Sequence, residues 1–495
     1  MSLPSPFMLL LVLVLVLAGR ATARPAYQTK YFEQVLDHFR FDNLPEASWS
    51  QRYLYSDEYW GSGTKGVDFK FSGNCPGPIL FYSGNEGPID AFWKSNGFMR
   101  ELAAKWGGLL IFAEHRYYGT SLPFGKKSLT PDNAVFLSTE QALADYATLL
   151  TELKSSILPN ATDCPVISFG GSYGGTLTTY FRLKYPQVVI GGLAASAPIG
   201  YYANGGWESH GIDEFTWIDI VNKVYAEAEA GCLDHLRRAT QLIDSTGVTE
   251  GGRNQLAETF HLCAPLSSNE PLTDWFTDAI ETLPQLNYPY AVGTNPAWPV
   301  NKTCSIIAKG IAQDSDEALL HAAATITDFY YSRSPDACVS GQGQGLIPGG
   351  GPGPPSWGSW SYQSCTETLH QFSARGLRNF TFSMQAANEA CEKYYGVVPR
   401  PAWTEMHFGG YAIGDGLTGA SNIIFSNGLL DPWHGGGFLK QTKESLPVLI
   451  MPHGAHHLDL RGSHADDPPD VTETRQIECQ IMEGWIREYV AKRVS

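Results

Sequence analysis

Basic residues are scarce in this sequence. Its 495 residues include 34 Lys and Arg against 50 Asp and Glu, which gives a formal net charge of −16. So acidic a chain lacks the basic stripes that nucleic-acid binding requires, and it is poorly suited to docking on anionic lipid. We therefore expect neither a nucleic acid nor a membrane as a partner.

Long apolar runs are absent after the first residues. Phe7–Ala18 is apolar but shorter than the roughly 20 residues that span a bilayer. Ala21-Thr22-Ala23 then matches an A-x-A cleavage site, so residues 1–23 are predicted to be a secretory signal peptide rather than a membrane anchor. Three N-x-T glycan acceptors agree with secretion: Asn160, Asn301 and Asn379.

The sequence also lacks C-x-x-C pairs, zinc-ligand spacings and phosphate-binding loops, so no metal and no cofactor is expected. In an oxidising compartment its nine cysteines are expected to form disulfides with at least one left over. Six lie in the middle of the chain: Cys232, Cys263, Cys304, Cys338, Cys365 and Cys391. Cys75, Cys164 and Cys479 lie outside that stretch and are interpreted as small buried apolar residues.

Strand and helix patterns alternate up to about residue 199. Four short apolar runs predict strands: Pro78–Tyr82, Leu109–Ala113, Pro165–Phe169 and Val188–Ala195. Helices are predicted between them at Ala91–Trp106 and at Thr139–Leu153, the second with Ser138 as its N-cap. This alternation predicts a mostly parallel sheet covered by helices.

The pattern changes between about residues 200 and 405, where the chain is mainly helical and rich in Cys and Trp. Helices are predicted at Ile218–Ala230 and Leu319–Tyr331, and Gly341–Pro355 is predicted to be a loop because of its Gly and Pro content. Strands are predicted again at Asn422–Phe425 and Val448–Met451, followed by a last helix at Val471–Val490. A helical insertion within an α/β sheet explains this order.

A G-x-S-x-G motif, formed by Gly170, Ser172 and Gly174, follows a predicted strand and precedes a predicted helix at Thr176–Leu183. Such a turn exposes a serine nucleophile, and its glycines let the strand and the helix approach closely. The alternative is a glycine-rich turn without catalysis. A serine nucleophile also needs a base and an acid, which follow in the order Ser, Asp, His in this architecture.

Candidates for both partners occur in that order. Asp431 follows the strand pattern at Asn422–Phe425, and the next strand pattern is followed by His453, His456 and His457. Because the carboxyl ends of parallel strands share one edge of a sheet, we expect Asp431 and one of these histidines near Ser172.

Several motifs, in order, resemble the S28 family of serine peptidases. They are QVLDHF (34–39), NEG (85–87), AEHRYYG (113–119), GGSYGG (170–175), NGLLDPW (427–433) and GAHHLDLR (454–461). The resemblance implies an α/β-hydrolase fold with an inserted helical cap (SKS) domain, and cleavage after proline. It divides the chain into a hydrolase domain (24–199 and 406–495) and a cap (200–405).

The resemblance also implies roles for individual residues. Ser172 is the nucleophile, Asp431 the orienting acid and His456 the base, whereas His453 falls outside the motif and is expected to be structural. The oxyanion hole is expected to use the backbone N–H groups of Tyr173 and Gly87.

Five positions are implied to contact the substrate: Glu86, Thr176, Trp433, His457 and Arg461. Trp433 matches an aromatic of the proline pocket, although packing alone would also explain it. Arg461 and His457 are candidates to hold a C-terminal carboxylate, and Glu86 is a candidate to hold an N-terminal ammonium. Arg461 and Glu86 would equally suit a structural ion pair.

The sequence departs from the family pattern at two of these motifs. Pro88 replaces an Asp that usually follows Asn-Glu-Gly, which leaves Asp90 displaced, and Thr176 replaces a Met. By motif position, the resemblance implies the disulfides Cys232–Cys304, Cys263–Cys338 and Cys365–Cys391.

The expected function is a secreted or lysosomal serine exopeptidase acting on short proline-containing peptides. A Pro-Xaa carboxypeptidase is preferred to a dipeptidyl peptidase 2-like enzyme, and a lipase or esterase and a non-catalytic binding protein are remoter alternatives. The compartment is expected to be lysosomal, vacuolar or extracellular, and a homodimer is left open. Because protonated His457 would help to bind a substrate carboxylate, activity is expected to peak at mildly acid pH.

Overall fold

The computed structural model describes residues 26–41, 47–63, 69, 71, 75–202, 211–268, 270–331, 338, 358–409, 417 and 419–494. The predicted signal peptide and the predicted loop at 341–355 lie outside these residues. Among the described helices, none combines the length and the apolar character that a membrane-spanning helix needs.

Eight strands form one sheet in the order β1-β2-β4-β3-β5-β6-β7-β8. Their bounds are β1 Gln28–Val35, β2 Ser48–Ser56, β3 Ile79–Ser83, β4 Leu109–Ala113, β5 Val166–Gly171, β6 Gly191–Ala195, β7 Ile423–Gly428 and β8 Val448–Met451. The pairs β1–β2 and β2–β4 are antiparallel and all others are parallel. This topology is that of an α/β hydrolase.

Helices cover both faces of the sheet and fill the sequence between β6 and β7. In chain order they are α1 Ile89–Ser95, α2 Gly97–Trp106, α3 Pro131–Ala134, α4 Thr139–Glu152, α5 Tyr173–Lys184, α6 Thr216–Ala228, α7 Cys232–Gly247, α8 Glu250–Thr259, α9 Glu270–Thr282, α10 Pro299–Ala312, α11 Asp316–Tyr330, α12 Ser359–Thr366, α13 Met384–Tyr395, α14 Trp403–Phe408 and α15 Pro469–Val494.

The cores follow from the alternation of side chains along the strands. Ile79 and Phe81 of β3 pack into one apolar cluster, whereas Leu80 and Tyr82 pack into another on the opposite face. Helices α6 to α11 have a separate apolar cluster of their own, with Trp217, Leu236 and Phe276 buried in it. All six strands that the sequence predicted are confirmed. They position the candidate site residues at the carboxyl edge of the sheet.

Four disulfides stabilise the chain. Three are the pairs that the family resemblance implied: Cys232–Cys304, Cys263–Cys338 and Cys365–Cys391. The fourth corrects the interpretation of Cys75 and Cys164 as separate apolar residues, because these two cysteines bond across 89 positions. Cys479 is the leftover cysteine and is buried as expected. Four disulfides are typical of a protein of the secretory pathway.

Candidate active site

Ser172 is placed in a strained turn between β5 and α5. It has φ 59° and ψ −130°, a left-handed conformation that non-glycine residues rarely adopt. The flanking glycines make the turn possible, since a Cβ on Gly170 would lie 2.0 Å from the Gly174 carbonyl oxygen. Ser172 remains half-exposed while residues 173–181 are all buried. The structure thus contains the predicted turn between strand and helix, with the geometry that a nucleophile elbow requires.

The loop after β3 is fastened to this elbow by Asn85. Its side-chain amide donates to the Gly171 carbonyl over 2.6 Å, and its Oδ1 accepts from the Tyr82 hydroxyl over 2.7 Å. Asn85 therefore fixes Glu86 and Gly87 beside Ser172. The motif around Asn85 was visible in the sequence, but the anchoring role of its side chain was not predicted.

The Tyr173 side chain anchors the other candidate for the oxyanion hole. Tyr173 is the first residue of α5, where a backbone N–H has no partner within the helix and is available to a ligand. Its hydroxyl lies 2.8 Å from the Gln363 amide, 3.1 Å from Thr139 Oγ1 and 3.2 Å from His115 Nε2. Burial lowers the pKa of His115 to about 4, so this imidazole stays neutral.

Asp431 and His456 are hydrogen-bonded after β7 and β8. Asp431 Oδ2 lies 2.7 Å from His456 Nδ1, and Asp431 Oδ1 accepts the Trp433 backbone N–H over 3.1 Å. Asp431 is fully buried and His456 is 7% exposed. Because a buried carboxylate accepts a proton from Nδ1, this contact leaves His456 Nε2 as the basic nitrogen.

The backbone of His456 is held by residues between α9 and α10. Its N–H donates to the Gln285 carbonyl over 3.0 Å, and its carbonyl accepts from the Tyr288 hydroxyl over 3.1 Å. The Gln285 side chain also accepts from Trp433 Nε1 over 2.6 Å. No local sequence signal identified Gln285 or Tyr288, because their contacts join residues at least 148 positions apart in the sequence.

His457 lies between the elbow and His456. A Cβ on Gly171 would be 2.8 Å from the His457 ring, whose centroid lies 4.4 Å from that of His456. Burial, together with the nearby His456 and Arg461, holds the pKa of His457 well below 6.5. The expectation that His457 is cationic at mildly acid pH was therefore wrong, since burial favours the neutral ring.

The Arg461 guanidinium lies beside aromatic rings. Its guanidinium lies 4.6 Å from the Tyr288 ring centroid and 5.9 Å from that of Tyr290. Within the part of the chain that the structure describes, no carboxylate lies within salt-bridge distance of Arg461. This arrangement does not favour the structural ion pair that the sequence left open, and it leaves the guanidinium able to bind an anion.

Glu86 is half-buried near His456 and likewise has no ion-pair partner among the described residues. Its Oε2 is buried and receives no hydrogen bond from them. Burial raises the pKa of Glu86, an effect that the nearby His456 and the Asn85 amide partly oppose. A carboxyl group in these surroundings is neutral over a wider pH range than usual.

Trp433 belongs to an aromatic wall next to His456. Its ring centroid lies 5.2 Å from His370, 5.9 Å from Phe372, 6.1 Å from Trp217 and 6.4 Å from His456. Thr176 is buried one turn after Ser172, in contact with the Tyr202 hydroxyl. An aromatic wall of this kind suits a small rigid ring better than a long flexible side chain.

Two other predicted residues lie away from this group. His453 is exposed and pairs with Asp470 Oδ1 over 3.3 Å, in agreement with the structural role expected for it. Asp90, displaced relative to the family motif, pairs with Arg52 over 2.6 Å and accepts from the Tyr27 hydroxyl. It therefore fastens α1 to β2 and to the residue that precedes β1.

Comparison with known proteins agrees with this geometry. A family model described as serine carboxypeptidase S28 matches residues 34–478. Human lysosomal Pro-X carboxypeptidase is 37% identical over 94% of this chain and 89% of its own length. The prolyl carboxypeptidase-like protein 5 of Caenorhabditis elegans is 32% identical, covering 93% and 90%, and human thymus-specific serine protease is 27% identical, covering 92% and 86%.

Proposed function

The chain belongs to the S28 family of serine carboxypeptidases, and from this premise we propose that it releases the C-terminal residue of short peptides in which proline precedes that residue. The relatives that share most of its length include lysosomal Pro-X carboxypeptidases. We propose a lysosomal, vacuolar or extracellular location for the same reason.

The proposed catalytic residues are Ser172, Asp431 and His456. His456 Nε2 takes the Ser172 proton as the hydroxyl oxygen attacks the carbonyl carbon of proline, and the Tyr173 and Gly87 N–H groups bind the oxyanion. His456 then gives the proton to the leaving amine, and water hydrolyses the acyl-enzyme by the same steps in reverse order. The Asp431–His456 contact of 2.7 Å supports this assignment.

One observation favours the carboxypeptidase over an aminopeptidase. Arg461 lies beside the His456–His457 pair, and among the described residues its guanidinium has aromatic rings and no carboxylate within salt-bridge distance. A permanently charged guanidinium without an acidic partner is the group that a substrate carboxylate would bind. Trp433, His370 and Phe372 would form the proline slot, with Thr176 at its base.

We also propose that residues 200–405 act as a cap over a hydrolase domain formed by 24–199 and 406–495. Gln285 and Tyr288 contact His456 from the capping side, which would leave room for chain ends rather than long polypeptides. Asn160, Asn301 and Asn379 are all exposed, as N-glycosylation would require. A monomer and a homodimer are both compatible with this proposal.

Three derivatives of Ala-Pro-Phe test the proposal: the free peptide, its C-terminal amide and its N-acetyl form. We expect release of Phe from the free and the acetylated peptides and a much lower kcat/KM for the amide. Loss of activity on acetylation, with cleavage of the amide retained, would instead identify a dipeptidyl peptidase that uses Glu86 to bind an ammonium group. A preference for a p-nitrophenyl ester without any prolyl cleavage would indicate an esterase.

The nucleophile is tested by Ser172→Ala, with the exposed Ser155→Ala as its matched control. We expect Ser172→Ala to fold, to lose fluorophosphonate labelling and to lower kcat by about 10⁴, because the nucleophile is removed. Ser155→Ala should match the unmodified enzyme in all three measurements. Labelling that persists in Ser172→Ala would reject this serine as the nucleophile.

A further inference from the structure

Two buried carboxyl groups lie directly behind the loop that carries His456. Asp459 is three residues after His456, in the short helical turn Leu458–Leu460, and Glu478 is in α15. Both side chains are fully buried. The reaction steps proposed above do not use either of them.

The oxygen atoms of this pair lack donors. Asp459 Oδ2 accepts from the Ser426 hydroxyl, but Asp459 Oδ1 and both oxygens of Glu478 receive no hydrogen bond from the described residues. The Glu478 carboxyl faces both the Asp459 carboxyl and the Ser426 hydroxyl, which has a single proton to donate. Two acceptors in contact inside a protein need a proton between them.

The surrounding charges do not supply that donor. Arg475 directs its guanidinium to the backbone carbonyls of Leu458 and Asp459, over 2.8 and 2.9 Å, and to Asp467 over 2.6 Å. Strands β6 and β8, which pack against α15, contain no ionisable side chain.

Helix α2, which packs against the Leu458–Leu460 turn, carries three charged side chains that are engaged elsewhere. Arg100 donates to the Trp93 carbonyl, Glu101 accepts from Ser463, and Lys105 pairs with Glu483. A proton shared by the two carboxyl groups would satisfy both of them.

We propose that Asp459 and Glu478 share a proton that holds the His456 loop in its catalytic position, and that the loop loses this position when the proton dissociates. Ser426 lies on β7 five residues before Asp431, and Asp459 lies three residues after His456. The contact between Ser426, Asp459 and Glu478 therefore connects the segments that carry the acid and the base to α15. Asp459 and Glu478 are positioning residues in this scheme.

The direction of the pH effect follows from the surroundings of Glu478. Burial, followed by the charge of Asp459, raises its pKa well above 4.5. A carboxyl whose pKa is raised by folding contributes its full stabilisation below the unfolded value, and this contribution is lost as pH rises through the folded value. The loop should therefore be held firmly in acid and released on the alkaline side.

Glu478→Gln tests the proposal because its amide donates to Asp459 at every pH. The measurement is the rate of fluorophosphonate labelling of Ser172 between about pH 5 and pH 9, which monitors the active serine without a peptide substrate. We expect the unmodified enzyme to lose labelling on the alkaline side and Glu478→Gln to retain it. The labelling rate at the alkaline end, relative to that of the same protein in acid, should be about tenfold higher for Glu478→Gln than for the unmodified enzyme. Glu473→Gln, an exposed position on α15, is the matched control and should follow the unmodified enzyme.

The proposal would be overturned if the labelling rate of Glu478→Gln fell at alkaline pH in the same way as that of the unmodified enzyme. Failure of Glu478→Gln to fold, while Glu473→Gln folds, would also overturn it, because an amide should satisfy Asp459 as the proton does. Asp459→Asn, which places the donor on the other side, should give the same alkaline shift. The inference rests on Ser172 being the nucleophile but not on the peptide specificity, so failure of the Ala-Pro-Phe experiment leaves this readout intact.

Discussion

At the scale of single residues, the order Ser172, Asp431, His456 was predictable because each residue follows a recognisable strand. Their environments were not, because burial depends on neighbours far away in the sequence. The neutral state of His457 results from desolvation inside the folded site, and the tyrosines that lie beside Arg461 come from a distant segment after α9. Likewise, the spacing of Cys75 and Cys164 carried no sign of the bond between them.

Glu86 leads to a prediction about pH and substrate charge. Because burial raises its pKa, Glu86 is neutral in acid and becomes anionic as pH rises. The anion would repel the free carboxylate of a substrate, so kcat/KM for Ala-Pro-Phe should fall on the alkaline side. Glu86→Gln should reduce this fall by about tenfold at the alkaline end.

The C-amidated peptide serves as the control for this measurement. Its pH profile should be the same for Glu86→Gln and the unmodified enzyme, because no substrate carboxylate is present to be repelled. A Glu86→Gln profile that changes equally for both peptides would contradict the role given to Glu86. The comparison of the two peptides also separates Glu86 from Glu478, because the effect of Glu478 should be independent of the substrate.

At the scale of secondary-structure elements, strands β3 to β8 were predicted, whereas β1 and β2, at one edge of the sheet, were not. Strands β4 and β8 have the predicted bounds, since short apolar runs bounded by Gly, Pro or charged residues are typical of buried parallel strands. Strand β1 was missed because it lies at the edge of the sheet with most of its side chains exposed or half-exposed. Its sequence, QTKYFEQV, therefore shows no apolar run.

Helices were predicted correctly where one face of the segment is apolar. They were predicted incorrectly where local and tertiary contacts decide the backbone conformation. The predicted helix at Ala91–Trp106 is two helices, α1 and α2, separated at Asn96. The Asn96 backbone has φ −98° and ψ 67°, and its amide donates to the Phe92 carbonyl, which is how a short polar side chain competes with helical hydrogen bonds. Helix α4 begins after Ser138 as predicted, with the Ser138 hydroxyl accepting from the Gln141 N–H.

Two glycines in helices allow a matched pair of substitutions. A Cβ on Gly174, in α5, would lie 2.2 Å from Asn85 Oδ1 and 3.0 Å from the Ser83 carbonyl, whereas a Cβ on Gly484, in α15, would meet nothing within 4 Å. Gly174→Ala should displace Asn85 and lower kcat/KM by about 100-fold or more, as misplaced catalytic groups do. Gly484→Ala should raise the free energy of unfolding by about 0.5–1 kcal/mol.

Peptide hydrolysis and urea unfolding of both variants check this prediction. Activity of Gly174→Ala close to that of the unmodified enzyme would show that the Asn85 contact does not set the geometry of the elbow. Destabilisation by Gly484→Ala would mean that the outer face of α15 is covered in solution.

At the scale of the whole molecule, buried acids set how stability depends on pH. Burial raises the pKa of Glu281 and Glu367 to about 7 and that of Asp278 to about 6. These groups contribute their full stabilisation below their ordinary pKa values, and this contribution is lost progressively as pH rises from those values to about 6 to 7. His115 acts in the opposite direction, but only below about 6.5, its ordinary value.

We therefore expect the free energy of unfolding to fall, on the order of 1 kcal/mol per pH unit, between about pH 4.5 and pH 7 and to level off above that. Urea unfolding at a series of pH values, with the disulfides intact, measures it. Glu367→Gln should flatten the fall, since its amide does not titrate. A stability that rises over this pH interval would show that other groups dominate.

The position of Gln285 and Tyr288 has a consequence for synthesis of the chain. Ser172 leaves the ribosome well before His456, and the His456 backbone is held by residues that lie between the two in sequence. A nascent chain therefore carries its nucleophile through most of translation without a base to activate it. With the roles proposed above, peptides in the compartment of synthesis are not cleaved until β8 has paired with β7. The active site is therefore complete only when synthesis of the chain is nearly finished.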